Sequence, residues 1–416
     1  MQVNAIRKAK DKGHTVIVSD YLSNPPGSQW ADYFEQVSTF DIEANIEVAR
    51  KYEVDRVFTI GTDQPVYTAA CVAEACQLPH IVTEWSALRA TNKKFMKQVF
   101  DNNNIPGSKY RLLDRSDLNN WTELYKKLST LQFPVVVKPL DSQGQRGIYK
   151  IPVLKPNIVE FMNDTFSYTR CDEIIVEEFF TGDEITVSAW VHGDEFKILM
   201  VTDRPLINIE PHLGTPDGHI YPSIYWSSHK NVIEEIIKQI IVAFRITGGP
   251  LYVQMMINQN SVQVVEIALR IGGGHEEELI PLVTGLDALE LFIEEISNND
   301  LDFSTVPLID PENITRSAMV KFIVAEPGIV SFCKELSSVK AMPGVINAGF
   351  YNPNMEKIEE LINSTRRIGY LIVEGETAQD VQDKVRSAYR QIEIIDNRGK
   401  NLVVDTAKHN SYYHTY

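Results

Sequence analysis

The segment Val135-Val136-Val137-Lys138-Pro139-Leu140-Asp141-Ser142-Gln143-Gly144-Gln145-Arg146-Gly147 constrains this chain more than any other. Three β-branched residues in a row fit a buried strand, because branched side chains pack well on a pleated surface. The strand carries one lysine to its end, and a loop follows at once. Gly144 and Gly147 let the backbone turn sharply and bring N–H groups close to a ligand. Lys138 adds a fixed cation at the mouth of that loop. Backbone donors beside a cation make a phosphate site. Locally, a plain β-hairpin with a charged end reads the same way.

The surrounding chain has room for more than one core: 416 residues suggest two or three domains. With 44% hydrophobic and 23% charged residues it has the balance of a soluble globular protein. A formal net charge of −16 disfavours non-specific binding to nucleic acid or to an anionic membrane. An acidic chain that handles phosphates must concentrate its positive charge locally, which adds weight to Lys138. Cys71, Cys76, Cys171 and Cys333 show no metal-ligand spacing and read as free thiols in a reducing, cytoplasmic setting. No apolar run approaches the roughly 20 residues of a membrane span, and no secretory h-region is expected at the N-terminus.

Residues 1 to about 85 alternate helix and strand. A first helix leads to the strand Thr15–Ser19, a helix over 42–52 to the strand Arg56–Ile60, and Gly61-Thr62-Asp63 opens a helix over 65–77. Such alternation predicts a doubly wound parallel sheet. Units of this kind begin with a strand and a glycine-rich turn, whereas this chain starts in the helix, so the first strand is expected to be missing. A helix over 86–103 holds Lys93, Lys94 and Lys97 and ends at Asn104-Ile105-Pro106-Gly107. Strands are expected over 173–180, 184–191 and 196–202. Residues 203–225, rich in Pro, Gly and His, read as a long loop. A helix over 230–246 precedes two strands, 251–257 and 262–268, joined by a turn at 258–261. Mixed α/β structure resumes beyond about 310, with a strand near 369–373 and a helix over 377–392. Ser411-Tyr412-Tyr413 belong to an expected tail.

The hairpin at 251–268 carries a second signal. Gln254 and Glu266 can share one face of adjacent strands. A carboxylate beside an amide oxygen suits a hard cation such as Mg²⁺. Arg270 lies four residues on and can clamp an anion. A buried acid paired with an arginine remains the alternative.

Taken in order, Asn92-Lys93, Val137-Lys138 with its loop, Glu177-Glu178 to Glu184, and Glu266 to Arg270 resemble the ATP-grasp superfamily. The branch they look most like holds phosphoribosylglycinamide synthetase, biotin carboxylase and the large subunit of carbamoyl phosphate synthetase. The resemblance implies an α/β and α+β multidomain fold: a pre-ATP-grasp domain over 1–85, an ATP-grasp domain of two α+β halves over 86–305 with a lid at about 110–200, a C-terminal cap over 306–400, and a tail over 401–416. It implies ATP and Mg²⁺ (or Mn²⁺) as cofactors. Lys93 and Lys138 would hold phosphates, and the loop with Ser142, Gln143, Gly144 and Gly147 would fold over them. Glu177, Glu178 and Phe179 would line the adenine, with Glu177 nearest its exocyclic amine. Glu184 would accept from the ribose hydroxyls. Glu266 and Gln254 would bind metal, and Arg270 would stabilise the transferred phosphoryl group. The family's Glu-x-Asn-x-Arg becomes Glu266-Ile267-Ala268-Leu269-Arg270, so the asparagine ligand is lost, and Gln254 stands where many members have glutamate.

The implied chemistry is carboxylate attack on the γ-phosphate, an acyl phosphate, and displacement of phosphate by an amine. Small-molecule carboxylate and amine substrates are the expected partners, with a homodimer left open. Substrate candidates are Asp63, Arg204, His275 and Glu276, with His212 and His219 as lesser ones. Glu276-Glu277-Glu278 also read as a helix N-terminus whose acids suit the dipole. Two rival readings stay open: an ATP-binding protein of the same fold with weakened catalysis, suggested by Gln254 and Ala268, and a nicotinamide-dependent oxidoreductase, suggested by the N-terminal alternation and Asp20.

Overall fold

The computed structural model describes residues 2–298 and 301–406; the tail residues Ser411-Tyr412-Tyr413 lie outside the described residues. Two antiparallel sheets dominate. The smaller, in the order 110–114, 173–178, 135–139, 149–151, 212–216, 206–209, takes in the segment expected to form a lid. Val135, Val137, Ile174 and Val176 bury one of its faces against Leu124, Leu128, Met162 and Phe166 of the helices Trp121–Leu128 and Ile158–Ser167.

The larger sheet has eight strands, in the order 262–268, 248–257, 183–192, 195–203, 218–221, 317–323, 369–375, 345–350. Along Asp183–His192 and Gly248–Ile257 the apolar residues Ile185, Val187, Ala189, Leu251, Val253 and Met255 fall at every second position. With a two-residue period they share one face. The helix Trp226–Ala243 covers that face through Ile233, Ile236, Ile237 and Ile240. Each fully buried isoleucine contributes about 1.5–3 kcal/mol. The opposite face carries the polar residues described below. The sheet also runs without a break across residue 306, where the sequence suggested a boundary, because Gly218–Tyr221 pairs with Ser317–Ile323.

Several sequence expectations change. Residues 203–225 are not a structureless loop: they form the strands Leu206–Ile209, His212–Pro216 and Gly218–Tyr221. The helix expected over 86–103 is two helices, Glu84–Thr91 and Lys93–Asn103, divided at Asn92. The Asn92 side chain accepts from Lys94 N (3.0 Å), capping the second helix. In the N-terminal region Ile17–Ser19 and Tyr33–Glu35 form a parallel pair. Residues 56–60 run beside helices without ladder bonds among the described residues, pinned by Phe58 on Phe292 and by buried Ile60. Residues 401–406, assigned to a tail, instead pack on the cap: Leu402 N donates to Ile394 O (2.8 Å).

Candidate active site

The polar face of the large sheet is written in alternate residues. Cross-strand register aligns Thr202, Thr186, Gln254 and Glu266 in one row, and Ser188, Tyr252 and Ala268 in the next. The expected pairing of Gln254 with Glu266 is therefore direct. Thr186, Ser188, Thr202 and Tyr252 were not singled out from the sequence, although Glu184-x-Thr186-x-Ser188 on a strand is a period-two polar pattern that could have found them.

Cations face this floor. Lys93, in the first turn of its helix, lies 3.4 Å from Glu266. Burial pushes the Lys93 ammonium down, but Glu266 and Asp63 outweigh it and hold it above its ordinary value. Burial likewise opposes ionisation of Glu266, and Lys93, Lys138, Arg204 and Arg270 keep its carboxyl below the usual range. Lys138 donates to Glu177 (2.9 Å), whose other oxygen meets Lys97 at 3.4 Å. Burial would raise Glu177, yet these lysines hold it down to about 2. Lys97, one helical turn after Lys93 and so on the same face, is a further site residue that the spacing could have revealed. Burial lowers its affinity for protons, opposed by Glu177.

The residues expected to line the adenine have protein partners of their own. The Glu177 carboxylate is committed to two lysines and so acts to position Lys138. Glu178 turns outward to accept from Gln132 N (2.8 Å). The N–H groups of Glu178 and Phe179 already donate to Lys109 O and Pro134 O (2.9 Å each), so the donor side of this strand is in use there. Glu184 accepts from the Gln254 amide (2.7 Å) and abuts the Arg204 guanidinium. This contact gives a reason for glutamine at 254: its nitrogen serves Glu184 while its oxygen stays available to a cation. Gln254→Glu would set two carboxylates at that spacing. We expect it to lower thermal stability without metal and to recover on adding Mg²⁺-ATP, read by melting curves; an unchanged melt in both conditions would refute the contact.

In the phosphate loop Gly144 and Gly147 have φ of 65° and 69°, the left-handed region glycine accepts without strain. Ser142 Oγ and Gln143 Nε2 are buried without a hydrogen-bond partner. Orphaned donors beside Lys93 and Lys138 fit an oxyanion. The oxygen pair Gln254 and Glu266 fits Mg²⁺.

Arg270 and Asp63 meet as expected of two groups facing one pocket: Nε and Nη2 reach the same carboxylate oxygen at 2.9 and 2.6 Å. The loop bearing Asp63 is held by Gly61 N donating to Ile271 O (3.1 Å), and a Cβ on Gly273 would sit 2.5 Å from Gly61 O. Glu276, Glu277 and Glu278 open the helix Glu276–Thr284, as the dipole reading predicted. Glu276 lies buried under the glycine turn, accepting from Ser188 Oγ (2.8 Å) and Gly272 N (3.1 Å), with its second oxygen unpartnered. His275 is tied to the cap: its ring stacks on Tyr370 at 3.8 Å and its nitrogens meet Glu278 and the Tyr351 hydroxyl. His212 stands on a lid strand beside Tyr149, while His219 is buried against Phe322 and Thr202.

Burial pushes the Glu276 carboxyl up from 4.5 to about 7, against Ser188 and Arg270. Below the unfolded value both states are protonated. As pH rises from 4.5 towards 7 the unfolded chain loses this proton first, so stability falls across that window. Glu276→Gln removes the slope. Its stability relative to wild type is expected to grow by up to about 3 kcal/mol between acid and neutral pH. Urea unfolding at the two pH values checks this, and a constant difference would refute it.

The chain is similar to known proteins over most of its length. A model of the phosphoribosylglycinamide synthetase ATP-grasp (A) domain matches residues 91–275, and one of L-amino acid ligase C-terminal domain 2 matches residues 321–396. Both matches support an ATP-grasp ligase. This ligase is 26% identical over 348 residues to phosphoribosylamine–glycine ligase of Pyrococcus furiosus, covering 78% of this chain and 74% of that one. Its fold is similar to that of phosphoribosylglycinamide synthetase from Anaerococcus prevotii, with a TM-score of 0.73, 20% identity and coverage of 95% and 97%. It is also similar to L-amino acid ligase from Bacillus licheniformis, with a TM-score of 0.77, 17% identity and coverage of 95% of each chain.

Proposed function

We propose that this ligase joins a carboxylate to an amine at the expense of ATP, through an acyl phosphate, releasing ADP and phosphate. The observation that carries the reading is the convergence of Lys93, Lys138, Arg270 and the Gln254–Glu266 oxygen pair on one face of the sheet. Phosphoryl transfer asks mainly for positioning and charge neutralisation, which these groups supply. Lys93, Lys138 and the loop donors Ser142 and Gln143 hold the phosphates. Glu266 and Gln254 would hold Mg²⁺, which neutralises phosphate charge when bound. A substrate carboxylate oxygen attacks the γ-phosphorus and ADP leaves. The amine nitrogen then attacks the acyl carbon, phosphate departs, and the nitrogen gives up its proton. Arg270 steadies the negative charge on the phosphoryl oxygens in both steps. The cap's similarity to an L-amino acid ligase domain favours amino acids as substrates. ADP release with Mg²⁺-ATP across amino acids, simple amines and bicarbonate tests the proposal. Nucleotide binding without ADP from any pair would support the weakened-catalysis reading instead.

A further inference from the structure

Resting on the ligase reading, we propose that Arg367 of the cap and Arg204 form a site for the anionic tail of the amine substrate, a carboxylate or a phosphate monoester. The chain has 56 acidic against 40 basic residues, and a half-buried guanidinium with no acid beside it calls for a partner. Arg367 is one: among the described residues no carboxylate lies within ion-pairing distance of it. Its guanidinium packs over the Phe322 ring at 3.6 Å, and its Nε donates to Ser364 O (2.8 Å), which leaves its terminal nitrogens to an outside partner. The same Phe322 ring meets His219 edge-on at 6.2 Å. On the sheet side Arg204 leans on Glu184 with its Nε buried and without an acceptor.

The charges of this corner repel one another. Burial first, then Arg204 and Arg367, hold the His219 imidazole well below its ordinary range. Arg367 is itself lowered to about 10 by burial, with Tyr351 opposing and Arg204 adding to the effect. An anion placed between the arginines relieves that repulsion, and guanidinium forks match carboxylate and phosphate geometry. ATP phosphates already have Lys93, Lys138 and the loop, and Arg367 reaches the site only from the cap. Glycine lets the turn after Arg270 close onto this corner, since a Cβ on Gly274 would fall 2.3 Å from His219 Nε2.

The corner is also joined to the lid. Ser364 accepts from Arg367 through its carbonyl and donates through its N–H to Gly144 O (3.2 Å) in the phosphate loop. One residue thus touches both the anion site and the cover of the phosphates.

Calorimetry with Mg²⁺ and a non-hydrolysable ATP analogue tests the site, using glycine and alanine against their amides, and ribose 5-phosphate against ribose. At least one anionic probe is expected to bind, and its neutral counterpart to bind roughly 10- to 100-fold more weakly. Arg367→Gln is expected to cause a loss of the same size, with Arg367→Lys intermediate, and melting curves report that each variant folds. A response confined to the amino acids assigns the carboxylate, and one confined to the sugar phosphate assigns the phosphate. No anionic binding to the wild type, equal binding of neutral probes, or indifference to both Arg367 variants would overturn the site. Failure of the ligase reading looks different: the wild type would release no ADP from any carboxylate and amine pair, whatever the probes bind.

Discussion

Lys138→Ala is expected to reduce ADP release by about 100-fold or more while the protein stays folded. Lys138 sits near the end of the buried strand that leads into the phosphate loop, so its loss removes charge where the transferred phosphoryl group must be stabilised. The fold survives because Glu177 keeps a partner in Lys97 at 3.4 Å. The Glu177 carboxyl, which burial would raise but Lys138, Lys97 and Lys93 hold down to about 2, should rise once Lys138 is gone. Steady-state ADP release together with circular dichroism checks both halves. A folded variant that keeps most of its activity would remove the loop from the phosphate site.

Glu266→Ala should be equally damaging, by a different route. Glu266 is the carboxylate of the oxygen pair and also the partner of Lys93. Removing it takes away a ligand for Mg²⁺ and leaves Lys93 with burial less well opposed, since Glu266 is the first charge that raises it. Turnover is expected to fall by about 100-fold or more, and the remaining activity to need more Mg²⁺. A magnesium titration reads this. An unchanged half-saturating concentration would show that the cation is held elsewhere.

These two residues were legible in the sequence because each sits in a short, ordered pattern: a lysine ending a valine strand, and an acid four residues before an arginine. The register of Gln254 on Glu266 followed from the hairpin itself. Other parts of the site were hidden by its distance along the chain. Nothing near Asp63 announces Arg270, which lies 207 residues away and meets it only once Gly61 docks on Ile271. Arg367 stands beside Arg366, a surface residue paired with Glu359, and only the fold distinguishes them. Glu177 was readable as a site residue but not as a lysine-bound one, because Lys97 and Lys138 reach it from separate elements. The segment 203–225 was misread for a related reason. Its three short strands find their partners in different sheets, so no local periodicity marks them.

The unbroken eight-stranded sheet has a mechanical consequence. Because Gly218–Tyr221 bonds directly to Ser317–Ile323, swinging the cap away from the sheet's polar face would break a ladder, an expensive motion for an event repeated each turnover. Among the described residues the small sheet has no such ladder to the large one; its core is separate, and short segments at 178–183, 203–206 and 216–218 join the two. The molecule is therefore stiff on one side and pliant on the other. Any movement of the small sheet away from the C-terminal strands has to release the Ser364 N–H from Gly144 O.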